Sequence, residues 1–147
     1  MLKNIHPLLT PELLFALASM GHGDEVAIVD ANFPAARVAR AHGASCVVLS
    51  GCNSTLALEA VLSVLPLDDF DPVCAWTMQV VGDAKQVPLP VVEFNTVLQS
   101  VASTQANTLE RFDFYDRAQR AFLVVQTGDM RRYANVLLRK GVISVDG

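Results

Sequence analysis

The chain alternates between apolar positions at helical spacing and short apolar runs typical of buried strands. Leu13, Leu14, Leu17 and Met20 share one face of a helix that is predicted to begin at Pro11. The preceding residue is a threonine, which favours an N-cap, and two glycines at 21 and 23 end the helical pattern. The first element is therefore expected to be an amphipathic helix that packs against a core.

The rest of the chain continues this alternation. Helices are predicted at 35–41, 55–65, 91–102 and 115–120, and strands at 26–29, 45–50, 73–81, 109–112, 122–126 and 135–138. Strands that alternate with helices indicate an α/β domain of two or three layers, with a central sheet flanked by helices. No internal repeat or linker divides the sequence, so residues 1–147 are expected to form a single compact domain.

Composition adds an expectation about assembly. Apolar residues make up 52% of the chain and charged residues only 18%, against roughly 25% charged residues in a typical soluble domain. A domain of 147 residues has a large surface relative to its core, so this apolar content favours a homo-oligomer in which subunits cover one another. A lone domain with a well-filled core is the alternative that composition leaves open.

Charge and cysteine usage exclude several classes of partner. The net charge is −4, and basic residues pair only at 131–132 and 139–140, so no nucleic-acid footprint is present. No signal sequence or membrane-spanning run is found, which favours a cytoplasmic protein without a membrane partner. The three cysteines are expected to be reduced thiols, with Cys46 packed inside its strand. His42, Cys46 and Cys52 lack the spacing of paired metal ligands, so neither metal nor cofactor is expected.

Polar groups interrupt the apolar pattern at three places, and the first holds the main candidates for chemistry. His22 lies between two glycines where the first helix gives way to a strand, an opening in which an imidazole could be approached by a ligand. Asp30 follows that strand, at the end where α/β sheets bind ligands. Each residue also has a structural interpretation, His22 as a helix C-cap and Asp30 as a turn former, and both interpretations stay open.

The second place is the run 111–117, in which Arg111 and a second arginine enclose aromatic and acidic residues. Guanidinium and carboxylate groups bind hydroxyls, and aromatic rings pack against the C–H faces of a sugar. The alternative is a strand-to-helix joint with Phe112 and Phe114 in the core and the charges in solvent.

The third place is Tyr133-Ala134-Asn135, just before the last predicted strand. A tyrosine can donate or accept one proton, and an asparagine offers both a donor and an acceptor. The alternative is a tyrosine at a strand edge followed by a turn asparagine.

In combination, these segments resemble the ribose pyranase/fucose mutarotase family. The matching stretches agree in order and spacing at both ends of the chain: 8–14, 20–25, 30–34, 111–112, 114–115, 117–119 and 133–142. The sequence is more similar to the fucose mutarotase branch, since the ribose branch lacks the arginine–aromatic pattern around 111–117.

The resemblance implies an α/β subunit of a ring-shaped homo-oligomer, usually a decamer, with active sites at subunit interfaces. It implies that His22 is the general acid and that Asp30 and Arg111 bind substrate. The tripeptide Tyr133-Ala134-Asn135 matches the family's C-terminal substrate-binding tripeptide. The implied partner is a free monosaccharide, and the resemblance to the fucose mutarotase branch favours L-fucose.

A mutarotase must remove one proton from the anomeric hydroxyl and deliver one to the ring oxygen. Histidine suits this task because its unperturbed pKa of about 6.5 lets both protonation states coexist near neutrality. His22 is the predicted donor to the ring oxygen, Asp30 and Tyr133 are the candidates for the second proton, and Arg111 and Asn135 would position the sugar. A non-catalytic monosaccharide-binding protein with the same pocket is the alternative function.

Overall fold

The computed structural model describes residues 1–146. The helices are α1 Pro11–Ser19, α2 Ala35–Ala41, α3 Ser54–Leu62, α4 Leu89–Ala102 and α5 Arg111–Gln119. The strands are β1 Glu25–Val29, β2 Ser45–Leu49, β3 Ala75–Met78, β4 Asn107–Leu109, β5 Leu123–Thr127 and β6 Val136–Arg139. The alternation of helices and strands expected from hydrophobic spacing is confirmed.

All six strands form one mixed sheet in the order β2-β5-β1-β6-β3-β4. The central strand β1 runs parallel to β5 and antiparallel to β6. Because β6 runs against β1, the residues that precede β6 lie at the same end of the sheet as the residues that follow β1. Asp30 and Asn135 therefore meet there, although they are far apart in sequence.

The sheet separates two cores. Val26 and Ile28 of β1 face a core that includes residues of α1, α3 and α4, whereas Ala27 and Val29 face a core that includes residues of α2 and α5. The domain therefore has three layers, which settles the choice that the sequence left open. A strand buried on both faces has no polar alternation, and this explains why residues 26–29 of β1 form a continuous apolar run.

Helix ends follow local capping chemistry, and one of them corrects a prediction. The Thr10 side chain accepts a hydrogen bond from the backbone N–H of Leu13 at 3.2 Å, so the predicted start of α1 is confirmed. A strand was expected at 109–112, but β4 ends at Leu109 and α5 begins at Arg111. The Glu110 carboxylate caps α5 by accepting from the N–H of Phe112 at 2.8 Å, and apolar spacing does not reveal such a cap.

The three cysteines are free thiols, as expected. Cys46 is nevertheless exposed, so its predicted place inside the strand is wrong. It belongs to β2, the edge strand of the sheet, where burial on both faces is not required. Within residues 1–146, no helix combines the length and the apolar character needed to cross a membrane.

Candidate active site

Asp30 and Asn135 form a doubly bonded pair at the carboxyl end of β1. The Asn135 amide donates to one Asp30 carboxylate oxygen at 3.0 Å, and its carbonyl accepts from the Asp30 backbone N–H at 2.8 Å. The other Asp30 oxygen accepts from the N–H of Asn32 at 2.9 Å. Both side chains are buried in the single chain, so their orientation is set before any ligand arrives.

A cavity of about 230 Å³ opens beside this pair. Its lining includes Asp30, Arg111, Tyr115, Tyr133 and Asn135. These residues come from the end of β1, the first two turns of α5 and the segment before β6. They converge because all three chain segments reach the same end of the sheet. The cavity lies below the roughly 300–1,000 Å³ of drug-sized pockets, so a small polar molecule is the ligand that fits it.

Arg111 faces this cavity with an unused donor. Its Nε is buried and has no hydrogen-bond partner among residues 1–146. A buried N–H without a partner costs free energy. The guanidinium also lies 4.5 Å from the centre of the Phe112 ring. Phe112 is 65% exposed, so its alternative assignment to the core is wrong, whereas Phe114 is fully buried.

Tyr133 is held in a backbone conformation that side chains rarely adopt. Its φ is +63°, a left-handed conformation that costs a non-glycine residue roughly 1–2 kcal/mol. The phenol oxygen accepts a hydrogen bond from the N–H of Val81 at 3.0 Å, which fixes the ring at the cavity wall. The next residue, Ala134, packs its side chain into the core, so it can meet a ligand only through its backbone.

Burial controls the charge of Asp30. Loss of solvent raises the pKa of the Asp30 carboxyl above 3.8, although hydrogen bonds from Asn32 and Asn135 act in the opposite direction. The negative charge of Asp129 adds to the upward shift. A carboxyl that releases its proton less readily than usual is better suited to exchange a proton with a hydroxyl.

His22 lies at the other end of β1, in the turn that precedes the strand. The Asp24 carboxylate accepts from the N–H of Gly21 at 2.7 Å, and Gly23 takes a φ of +86°. This tight turn leaves the His22 side chain 45% exposed. The C-cap of α1 is Met20, so the alternative interpretation of His22 as a helix cap is wrong.

The carboxylate beside this imidazole is Asp68, not Asp30. His22 Nε2 lies 3.2 Å from Asp68 Oδ1, and the His22 ring lies 5.0 Å from the ring of Phe70. Burial opposes ionisation of Asp68, but hydrogen bonds from Phe70, His22 and Arg139 outweigh it and hold its pKa below 3.8. Asp68 is thus an ionised group that holds one imidazole nitrogen and leaves Nδ1 free to meet a ligand.

Within one chain, the predicted residues fall into two groups. The five residues of β1 separate His22 from Asp30 by roughly 15–20 Å, at about 3.3 Å per residue. Asp30, Arg111, Tyr133 and Asn135 are brought together as expected. His22 instead lines a second cavity of about 410 Å³, whose walls are mostly apolar. One sugar cannot touch both groups in the same chain.

Two residues of these sites were not singled out as site residues from the sequence. Asp68 lies in an acidic run that is typical of a solvated loop, but it is 5% exposed, because it turns inward toward His22 across 46 residues of sequence. Tyr115 was recognised only as part of an aromatic run, and it stacks on Phe33 at 5.2 Å on the cavity wall. Helical spacing from Arg111 offered a signal for Tyr115, since residues four apart share a helix face.

Within residues 1–146, no three histidine, cysteine or acidic side chains cluster closely enough to hold a metal ion.

Comparisons with known proteins agree over almost the whole length. Residues 3–143 match the model of the RbsD / FucU transport protein family. The chain is 42% identical to the fucose mutarotase of Homo sapiens, over 99% of this chain and 96% of that protein. It is 39% identical to the L-fucose mutarotase of Haemophilus influenzae strain 86-028NP, over 99% of each.

A solved structure extends this likeness to three dimensions. The fucose mutarotase from Streptococcus pneumoniae, determined in complex with L-fucose, superposes with a TM-score of 0.88 at 32% identity, over 97% of this chain and 100% of that one. Sequence matches of this length, together with the shared fold, establish the family: the chain belongs to the RbsD / FucU transport protein family.

Proposed function

We propose that the chain is a sugar mutarotase, an isomerase that interconverts the anomers of free L-fucose by general acid/base ring opening. The observation that carries the proposal is the convergence of Asp30, Arg111, Tyr133 and Asn135 on one small cavity. Fucose mutarotases about 40% identical over nearly the full chain support the choice of sugar.

The cavity is suited to bind a sugar through two kinds of contact. The Arg111 guanidinium and the Asp30 carboxylate offer charge-assisted hydrogen bonds to hydroxyls. Phe33, Tyr115 and Met78 supply apolar wall for the C–H face and for a methyl substituent. A backbone contact from Ala134 fits this arrangement, since its neighbours on both sides line the cavity.

Proton transfer requires a second subunit. His22 is too far from the cavity of its own chain, so the His22 of a second copy acts on the sugar held by the first. Large apolar side chains are exposed in the cavity that His22 lines, among them Val142 at 47% and Ile143 at 81%, and an interface would cover them. We expect a closed homo-oligomeric ring, a decamer by the family resemblance, in the cytoplasm.

The reaction then needs one donor and one acceptor. The imidazolium of His22 gives a proton from Nδ1 to the ring oxygen, while Asp30 or Tyr133 takes the proton of the anomeric hydroxyl, and the bond from the anomeric carbon to the ring oxygen breaks. The aldehyde rotates and recloses with the proton transfers reversed. Asp68 keeps the imidazole in place through its contact with Nε2.

The test is magnetisation-transfer NMR on L-fucose and D-ribose with and without the protein. Exchange between the two anomers should be fastest for L-fucose. His22→Ala should leave a folded oligomer but lower the rate about 10²-fold or more, because a positioned acid contributes roughly 10²- to 10⁴-fold. Near-normal exchange in the His22→Ala protein would refute the assignment of the donor.

One observation favours a second function. The cavity that would hold the sugar contains no imidazole from its own chain, so a single subunit is equipped to bind a monosaccharide without transferring a proton. His22→Gln separates the two functions, since a glutamine amide can form hydrogen bonds but cannot act as a general acid. A wild-type protein that binds L-fucose without accelerating anomer exchange would be a binding protein.

A further inference from the structure

A network of three charged side chains lies outside the cavity and borders the segment that carries Tyr133 and Asn135. The Arg131 guanidinium donates to both oxygens of Asp129, from Nε to Oδ1 at 3.0 Å and from Nη2 to Oδ2 at 2.9 Å. Its remaining nitrogen, Nη1, donates to Glu93 of α4 at 2.6 Å. Arg131 is thus held by two carboxylates, Asp129 in the turn after β5 and Glu93 on α4.

Asp129 connects this network to the start of α3 and to the chain that follows β1. Its side chain is 2% exposed, and its Oδ2 accepts from the N–H of Ser54, the first residue of α3, at 3.0 Å. Burial opposes ionisation, but the bonds from Arg131 and Ser54 outweigh it and hold the pKa of Asp129 below 3.8. Its carbonyl oxygen accepts from the N–H of Ala31 at 2.8 Å, one residue after Asp30.

Glu93 is anchored as well. Its second oxygen accepts from the Thr55 hydroxyl at 2.7 Å, so the carboxylate is held between α3 and α4 before it meets Arg131. Hydrogen bonds from Thr55 and Arg131 hold its pKa below 4.5, with Arg131 as the larger cause. The carboxylate therefore stays charged near neutrality and gives Arg131 a fixed partner.

The segment that follows Arg131 needs such support. Tyr133, two residues later, has a φ of +63°, and a residue in this region persists only where its surroundings hold it there. We propose that Arg131, held by Asp129 and Glu93, is a positioning residue that keeps Tyr133 directed at the sugar. The inference rests on the proposed function, and it assigns a role to side chains that do not contact the ligand.

A purely stabilising role predicts a different outcome. Glu93 and Arg131 are each about one-third exposed (31% and 33%), so their mutual ion pair contributes little to stability. Loss of Arg131 also removes the cationic partner of the buried Asp129 and should destabilise the fold, whereas Glu93→Gln leaves that partner in place. A stabilising network would affect every property of the enzyme alike. A positioning network should affect the rate only while Tyr133 is present to be positioned.

The experiment is a double-mutant cycle on the oligomer with L-fucose as substrate. Arg131→Met should lower kcat/KM about tenfold in the otherwise wild-type protein and by less than about twofold in the Tyr133→Phe background, because contacting groups in one network couple by such amounts. Glu93→Gln should lower kcat/KM by less than Arg131→Met, with the same dependence on Tyr133. Arg131→Lys should lower kcat/KM by an intermediate factor, since lysine cannot reproduce the bidentate contact with Asp129. The control is Arg120→Met, which removes an exposed ion pair to Asp116 elsewhere on the surface and should leave kcat/KM unchanged.

Each outcome decides the inference. Equal losses in both backgrounds, or no loss, would overturn it while leaving the mutarotase proposal intact, provided that the wild-type protein exchanges anomers. Failure of both Arg131→Met and Glu93→Gln to fold would also overturn it, because the network would then hold the domain and not the segment. A wild-type protein without exchange would refute the proposed function and this inference together.

Discussion

At the scale of single residues, two buried aspartates show how the surroundings of a group decide its chemistry. Asp30 and Asp68 are each 5% exposed, yet burial raises the pKa of Asp30, whereas hydrogen bonds from Phe70, His22 and Arg139 overcome burial and lower that of Asp68. Neutral amide donors satisfy Asp30 without supplying a positive charge. The pattern suits Asp68 to hold an imidazolium and Asp30 to exchange a proton.

Asp30 should therefore give L-fucose binding a pH dependence. Its carboxylate is the form that accepts hydroxyl hydrogen bonds, so apparent affinity should fall as the pH drops through a pKa above 3.8. Asp30→Asn should weaken binding and lower the exchange rate at neutral pH. It should also abolish the fall in affinity at acid pH. NMR titration across the acid range measures both effects.

The control for this measurement is Asp116→Asn, an exposed carboxylate on α5 whose partner is Arg120. This variant should retain wild-type affinity and the same fall in affinity at acid pH. An unchanged affinity in the Asp30→Asn protein would count against the role of Asp30 as a sugar ligand.

At the scale of elements, the close approach of two turns defines the frame of the site. The turn after β5 begins with Gly128, whose N–H donates to the carbonyl of Cys52 at 2.9 Å. A Cβ at this position would overlap the carbonyl of Ser50. The turns after β2 and β5 therefore pack backbone against backbone, and the segment toward Tyr133 starts from a fixed point.

Gly128→Ala should destabilise the protein by about 1–3 kcal/mol, the usual cost of forcing extra volume into a packed region. Gly51→Ala is the matched control, because it lies in the opposing turn and a Cβ there meets open space. Thermal unfolding of the two variants measures the difference. Equal melting temperatures would contradict the close packing of the two turns.

At the scale of the whole molecule, the two groups of site residues lie at opposite ends of the central strand. The proposed function therefore depends on an assembly in which one subunit supplies Asp30, Arg111, Tyr133 and Asn135 and another supplies His22. Apolar content of 52% in a chain of 147 residues agrees with such covered surfaces.

Mixed oligomers test this arrangement directly. His22→Ala and Asp30→Asn proteins should each be nearly inactive, but random co-assembly in equal amounts should restore about a quarter of the sites, those that combine two intact halves across one interface. Anomer exchange by the mixture, against each variant alone, measures the recovery. Absence of recovery in oligomers that contain both variants would contradict a site shared between subunits.

The amino-acid sequence by itself determined the alternation of helices and strands, the start of α1 and the identity of the polar residues, because hydrophobic spacing and capping are local properties. The end of β4 and the start of α5 could not be predicted from hydrophobic spacing, since the Glu110 side chain determines that boundary. Only the tertiary structure paired His22 with Asp68 and separated it from Asp30. These relations depend on strand order and direction across long stretches of chain, and no local pattern of residues encodes them.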